Sequence, residues 1–331
     1  MSIEAIASAV PSIKESAAEI AQQTGLEELF ITEKIGVKWR HVLAPDETGV
    51  DLAEAACRKL FAQTDLKPGD VDDLIFVTQT PDHALPHSSA LLAHRLGLSS
   101  SCAAFDIGLG CSGFVYALSV TESFLAGNAH ENALLVTCDP YSRIMAREDK
   151  GTNAVFGDAA AVCWVRRTGT RCQLGRGDYG TDGSRAGALI VEAGRGKLPF
   201  VSVHESSLAQ YSRDQLRLHM SGRDVFEFVM LQVPKSIGSC LERNGLTLAE
   251  IDWFALHQGS LYMLMAMAQR LEIPREKILI NIDRFGNTVS STVPMLLEEL
   301  MWKEDLHDRK VLISGFGVGL SWATNILTFQ Y

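Results

Sequence analysis

The chain has 331 residues, 47% hydrophobic and 21% charged, the balance of a globular protein with about two domain-sized units. Disordered, collagen-like and disulfide-scaffold classes are thereby excluded. The 30 Lys+Arg against 40 Asp+Glu leave a formal charge of −10, and without a basic stripe this disfavours a nucleic-acid binder. No apolar run approaches the roughly 18 residues of a membrane span, and Met1 to Pro11 holds no Lys or Arg, unlike a secretory signal. The seven cysteines are scattered without a CxxC pair, which fits a reducing, cytoplasmic setting better than zinc or disulfides.

Strand-length apolar runs alternate with helical patterns, which predicts an α/β fold. In the first half the expected strands are Leu74 to Val77, Ala103 to Asp106, Leu134 to Thr137 and Ala159 to Val165. In the second half they are Trp253 to Leu256, Ile278 to Asn281, Val311 to Ser314 and Ala323 to Phe329. The spacing repeats. Leu74 precedes Trp253, Cys111 precedes Val289, and Leu134 precedes Val311 by nearly the same number of residues, which suggests two copies of one unit. Each copy would lay a sheet against shared helices, giving a layered sandwich with its join near the Gly-rich stretch Arg166 to Gly183. We expect halves at 1–170, carrying a nucleophilic cysteine, and 171–331, carrying a histidine and an asparagine.

Four segments at strand ends stand out. Asp106-Ile107-Gly108-Leu109-Gly110-Cys111-Ser112-Gly113-Phe114 follows a strand and opens a helix. A cysteine there sits at the positive end of the helix dipole among unpaired N–H groups, an arrangement expected to lower the thiol pKa; an inert buried cysteine is the plainer alternative. His257 leaves a buried strand, as a catalytic imidazole or a satisfied structural histidine would. Asn287 follows Gly286, an ordinary turn pair whose amide can also serve an oxyanion. Ser314-Gly315-Phe316-Gly317-Val318-Gly319 is a glycine-rich turn that can offer a backbone N–H. Together they suit thioester chemistry, with the N–H groups of Cys111 and Val318 as an oxyanion site. Five of the other cysteines, Cys57, Cys102, Cys138, Cys163 and Cys240, read as structural, and Asp158 as a turn or cap residue.

In order along the chain, Gly36-Val37 with Arg40-His41, Thr80 to Pro86, the Cys111 segment, Lys150-Gly151-Thr152, Phe156-Gly157-Asp158, Met220 to Phe226, His257-Gln258, Gly286-Asn287-Thr288 and Gly315-Phe316-Gly317 resemble the β-ketoacyl-acyl-carrier-protein synthase III family of the thiolase superfamily. The resemblance implies a thiolase-like α-β-α-β-α sandwich of two repeated halves and a Cys111, His257, Asn287 triad. It implies that an acyl-CoA primer acylates Cys111, and that malonyl-acyl-carrier-protein then loses CO2 and attacks the acyl group. It further implies a cytoplasmic homodimer with no permanently bound cofactor and acyl-CoA as substrate. Coenzyme A and pantetheine contacts fall on Phe30, Lys34, Lys150, Gly222, Arg223, Phe226 and Ser260, and the acyl-pocket plug on Leu85.

The chain departs from the family pattern at several of these positions. Gly259-Ser260 follow Gln258, Tyr262 stands where a basic residue is usual, Lys34 and Lys150 stand where arginines bind adenine in some members, and Val318 replaces a glycine. Leu85, smaller than phenylalanine, suggests a longer or branched primer. The substitutions at Ser260 and Tyr262 motivate an alternative, transfer of the acyl group to a non-carrier acceptor in starter-unit or polyketide-type metabolism. A non-enzymatic partner subunit is a third reading, weakened by retention of all three polar residues.

Overall fold

The computed structural model describes residues 1–199, 211–303 and 305–330. The first sheet comprises β1 (Ser2–Ala9), β2 (Asp73–Val77), β3 (Ala103–Ile107), β4 (Asn132–Cys138) and β5 (Ala160–Arg166), in the spatial order β1-β5-β4-β2-β3. Strand β2 runs parallel to β3 and β4, while β5 is antiparallel to β4 and β1. The second sheet comprises β6 (Cys172–Leu174), β7 (Asp178–Thr181), β8 (Trp253–Leu256), β9 (Lys310–Gly317) and β10 (Ser321–Phe329). Here β8 is parallel to β9, β10 is antiparallel to β9, and β6 and β7 both pair with the far edge of β10. The parallel pair followed by an antiparallel strand, β2-β4-β5, recurs as β8-β9-β10.

Side chains alternate along the strands with period two, and each face meets its own layer. On β2, Ile75 and Val77 face the interior between the sheets, whereas Leu74 and Phe76 face outward. On β9, Val311 and Ile313 point inward and Leu312 outward. The interior is filled by α3 (Gly113–Asn128) and α6 (Thr292–Lys303), whose Phe114, Val115, Leu118, Val293, Leu296 and Leu300 meet both sheets. The outer face of the first sheet is covered by α1 (Gly49–Gln63) and α2 (Ser88–Leu96). That of the second is covered by α4 (Gly222–Asn244) and α5 (Leu261–Leu271). Five layers, helix-sheet-helix-sheet-helix, result. Each sheet is buried on both faces, which is why its strands read as near-continuous apolar runs.

One expected strand is missing. Ile278 to Asn281 makes only a single parallel bridge, Ile278 to Phe254, beside β8. The Gln258 side chain takes over the backbone groups a strand would have used. Its Nε2 donates to the carbonyls of Leu256 (2.8 Å) and Leu279 (3.3 Å), and its Oε1 accepts the N–H of Asn281 (3.1 Å).

Candidate active site

The glycine-rich turn after β3 brings Cys111 to the start of α3, where the Gly113 N–H closes the turn on the Gly110 carbonyl (2.7 Å). The end of β9 lies directly against it. A Cβ at Gly317 would stand 2.7 Å from Cys111 Sγ, and one at Gly315 would stand 2.5 Å from the Cys111 carbonyl oxygen, so only glycine permits this approach. Behind the contact, Ser112 Oγ and Ser321 Oγ are 2.7 Å apart and the Ser321 hydroxyl donates to the Val318 carbonyl (2.8 Å). This chain of hydroxyls clamps the Val318 turn onto the cysteine turn.

The N–H groups of Val318 and Cys111 both address Cys111 Sγ. They do not produce a thiolate at rest. Burial pushes the thiol up to about 12, the nearby Asp139 carboxylate adds to the push, and the two N–H groups only partly offset it. The lowered pKa expected from the helix dipole is therefore overturned, because desolvation in this site outweighs the dipole. Asp139 is itself fully buried and is pushed up to about 6 by burial, against hydrogen bonds from Ser290 and Gln79.

His257 leaves the end of β8, with its N–H on the Ser314 carbonyl (2.8 Å). Its ring meets Phe316 edge-on, with centroids 5.5 Å apart and planes at 90°. Nδ1 lies 2.8 Å from Thr292 Oγ1, which is 3.0 Å from the Val289 carbonyl oxygen. Burial pushes the imidazole down to about 3, with the Val289 carbonyl opposing, so the ring is neutral at physiological pH.

Asn287 is held by backbone bonds to the first half, its N–H on Val155 (2.9 Å) and its carbonyl accepting from Gly157 (3.0 Å). Its Oδ1 accepts the Val289 N–H (2.9 Å), which leaves the Nδ2 donors for the cavity. Val289 achieves this in the left-handed region, at φ 54, a genuine outlier for a β-branched residue. Strain of this kind, of order 1–3 kcal/mol, clusters at functional sites.

Cys111, His257 and Asn287 line one cavity of about 380 Å³. Its walls are mostly apolar, including Phe156, Leu189, Met220, Val225, Val229 and Phe316. Of the residues expected at the coenzyme, Phe30, Lys150, Gly222, Phe226 and Ser260 line it as well. Ser260 also caps α5, its Oγ accepting the Met263 N–H (3.2 Å). Lys34 stands at the rim, its Nζ 6.0 Å from the ring of Tyr262, which in turn stacks on Phe226 at 5.5 Å. Arg223 turns away from the cavity, 87% exposed and paired with Glu227 one helical turn on. Leu85 is not in this cavity either; it is 88% exposed, on a surface loop whose residues Pro81 to His87 line a separate depression. Nothing in the sequence marks Thr292 or Asp139 for a role, and Val289 stands out there only as the counterpart of Cys111 in the repeat.

A buried thiol at a helix start, with two backbone donors at its sulfur, shares its cavity with a neutral imidazole and a carboxamide, inside the layered sandwich of a thiolase-fold acyl-transferring enzyme. Models of 3-oxoacyl-[acyl-carrier-protein] synthase III match residues 105–183, and of its C-terminal part residues 241–329. The chain is 33% identical over 303 residues to the β-ketoacyl-[acyl-carrier-protein] synthase III of Lactococcus lactis, covering 90% of each. It is 30% identical to that of Azobacteroides pseudotrichonymphae, covering 99% of this chain and 97% of the relative. A crystal structure of a 3-oxoacyl-(acyl-carrier-protein) synthase III superposes with a TM-score of 0.90 at 35% identity over 99% of both chains. The priming β-ketosynthase of the R1128 polyketide pathway superposes with a TM-score of 0.86 at 25% identity, over 99% of this chain and 96% of that one. The chain belongs to the β-ketoacyl-acyl-carrier-protein synthase III family.

Proposed function

We propose that the protein joins an acyl-CoA primer to malonyl-acyl-carrier-protein by decarboxylative Claisen condensation, in fatty acid or related biosynthesis. The observation that carries this reading is the convergence of Cys111, His257 and Asn287 on one apolar cavity, with two N–H groups aimed at the sulfur. In the first half-reaction Cys111 attacks the thioester carbonyl, whose oxygen takes the place of Sγ as acceptor for the Cys111 and Val318 N–H groups. The carbon–sulfur bond to CoA breaks, and the proton lost by Cys111 leaves on the CoA thiol. In the second, the malonyl thioester loses CO2. The enolate oxygen is met by His257 and Asn287, and the enolate carbon attacks the acyl-cysteine, expelling Cys111 as a thiolate that regains its proton from water.

We assign the coenzyme and its pantetheine arm to Phe30, Lys150, Gly222, Phe226 and Ser260, a reading supported by their lining the cavity, with Lys34 at its rim. We assign Arg223 only an outer contact. No helix among the described residues is long and apolar enough to cross a membrane, in keeping with action in the cytoplasm. Division into halves at 1–170 and 171–331 follows the change from one sheet to the other.

The exposed edge of β3, together with Leu85 and Val120 on the surface, supports a homodimer in which Leu85 reaches the partner's acyl pocket. The alternative, starter-unit or polyketide-type transfer to a non-carrier acceptor, is favoured by Tyr262 and Phe226 stacking at the cavity mouth. Incubation with acyl-CoA, read by intact mass, is expected to add one acyl group to the parent and none to Cys111→Ser. Equal labelling of both would remove Cys111 as nucleophile. Release of CO2 from malonyl-carrier-protein, lost in Asn287→Ala, separates condensation from simple transfer.

A further inference from the structure

Neither His257 nor Asn287 orients itself. Both are held by the short segment Val289 to Thr292, at the junction where the turn after Asn287 becomes α6. Asn287 receives the Val289 N–H on its Oδ1, so its carboxamide can only donate toward the cavity. The equivalent question for His257 is which ring nitrogen carries the hydrogen, because a neutral imidazole donates from one nitrogen and accepts at the other. An enolate oxygen in the cavity needs an N–H on Nε2, and that tautomer requires a donor at Nδ1.

The Thr292 hydroxyl, 2.8 Å from Nδ1, is the neighbour that can supply one. It also stands 3.0 Å from the Val289 carbonyl, and it has a single hydrogen to give. That carbonyl already accepts the Thr292 backbone N–H, so releasing the hydroxyl from it leaves no buried acceptor unpaired. We propose that Thr292 is a positioning residue that donates to Nδ1 of His257, holding the ring with its hydrogen on Nε2, beside the Nδ2 donors of Asn287. The residue sets the tautomer; it does not touch substrate. With Thr292 replaced by an isosteric residue lacking the hydroxyl, the Val289 carbonyl, which already interacts with the His257 ring, is left without a competing donor at Nδ1. A carbonyl only accepts. The hydrogen then moves to Nδ1 and a lone pair faces the cavity.

This inference rests on the condensation reading for its kinetic consequence, but its structural half stands alone. The test uses Thr292→Val and Thr292→Ser in the full-length protein. With 15N-histidine labelling, the His257 resonances are assigned by difference from His257→Ala. The parent and Thr292→Ser are expected to show an unprotonated Nδ1, and Thr292→Val a protonated one. A protonated Nδ1 in the parent, or no change in Thr292→Val, overturns the proposal whatever the protein catalyses. In kinetics, Thr292→Val is expected to slow CO2 release from the malonyl thioester 30-fold or more. Acylation of Cys111 should fall less than threefold, and Thr292→Ser should restore CO2 release to within threefold of the parent. Equal loss of both half-reactions, unrescued by serine, also overturns it. A parent that acylates Cys111 but releases no CO2 refutes the condensation reading instead, and leaves the tautomer to the spectra.

Discussion

At the scale of single residues, the balance of burial against local dipoles decides the chemistry. Cys111 sits where a thiolate is favoured by geometry, yet its thiol is held up at about 12 because it is buried and Asp139 lies close. Removing that neighbouring charge is expected to ease ionisation. Asp139→Asn should lower the Cys111 pKa and speed alkylation by iodoacetamide at pH 8 severalfold; an unchanged rate would show that burial alone sets it. Asp139 and His257 give opposite contributions to acid stability. His257 is depressed in the fold, to about 3, so the stability it gives is full above its unfolded value of about 6.5 and is lost as pH falls toward 3. Asp139 is raised, to about 6, so its contribution is present at low pH and is lost as pH rises through 6. Urea midpoints between pH 7 and pH 4 are therefore expected to fall less steeply in His257→Gln and more steeply in Asp139→Asn than in the parent.

Between elements, the site depends on contacts that no single segment specifies. Gly317 lets β9 close on the cysteine turn, and Gly317→Ala is expected to prevent acyl-CoA from labelling Cys111, since its methyl would occupy the space beside Sγ. Thermal melts should show a cost of about 1–3 kcal/mol, the usual range for overpacking. On the opposite side, the two-stranded antiparallel sheet of Ile13–Ser16 and Trp39–Val42 supplies Arg40, buried and bonded to Glu15 (2.7 Å), Asn153 Oδ1 (2.6 Å) and the Phe156 carbonyl (2.7 Å). This anchors the segment that carries Asn287 by backbone bonds. Arg40→Met strips the Phe156 carbonyl of its donor and leaves Glu15 with only Gln23 (3.2 Å) and the longer Arg147 pair (3.7 Å), and a loss of about 3–5 kcal/mol is expected from denaturant unfolding.

Such couplings explain what sequence patterns can and cannot disclose. Strands β2, β4 and β9 are legible because both faces are apolar, and the cysteine turn because its glycines precede a helix start. Helix α3 is apolar nearly all round, which marks it as a helix buried between two sheets. Val289 carries no such mark, since a β-branched residue is the last type expected at positive φ. Thr292 looks like any helix-opening hydroxyl until the fold sets it beside His257. The missing strand at Ile278 to Asn281 has the right residues, but Gln258 competes for its backbone.

At the scale of the whole molecule, two similar halves share one interior, and the reactive groups collect where they meet. Cys111 comes from the first, His257 and Asn287 from the second, so partial unfolding of either is expected to abolish catalysis in both half-reactions together. The dimer we propose is argued from what the single chain leaves uncovered among the described residues. Strand β3 ends the first sheet with a free edge, a template for pairing with a second copy. Phe105 on that edge packs on Phe124 of α3 (5.3 Å), close to the exposed Val120. Sedimentation velocity is expected to show a dimer for the parent and a shift toward monomer for Val120→Glu. A parent that sediments as a monomer at all concentrations would refute the assembly and with it any role for Leu85 in a neighbouring pocket.

The clamp that joins Ser112, Ser321 and the Val318 carbonyl has a consequence for how the enzyme waits between turnovers. The sulfur is kept protonated at the wall of its cavity, a poor target for peroxide or small electrophiles. In the mechanism we propose, its reactivity is delivered by the substrate, whose own carbonyl fills the two-donor cradle. A covalent inhibitor that carries such an oxygen into place should therefore succeed where a bare alkylating agent of greater intrinsic potency fails.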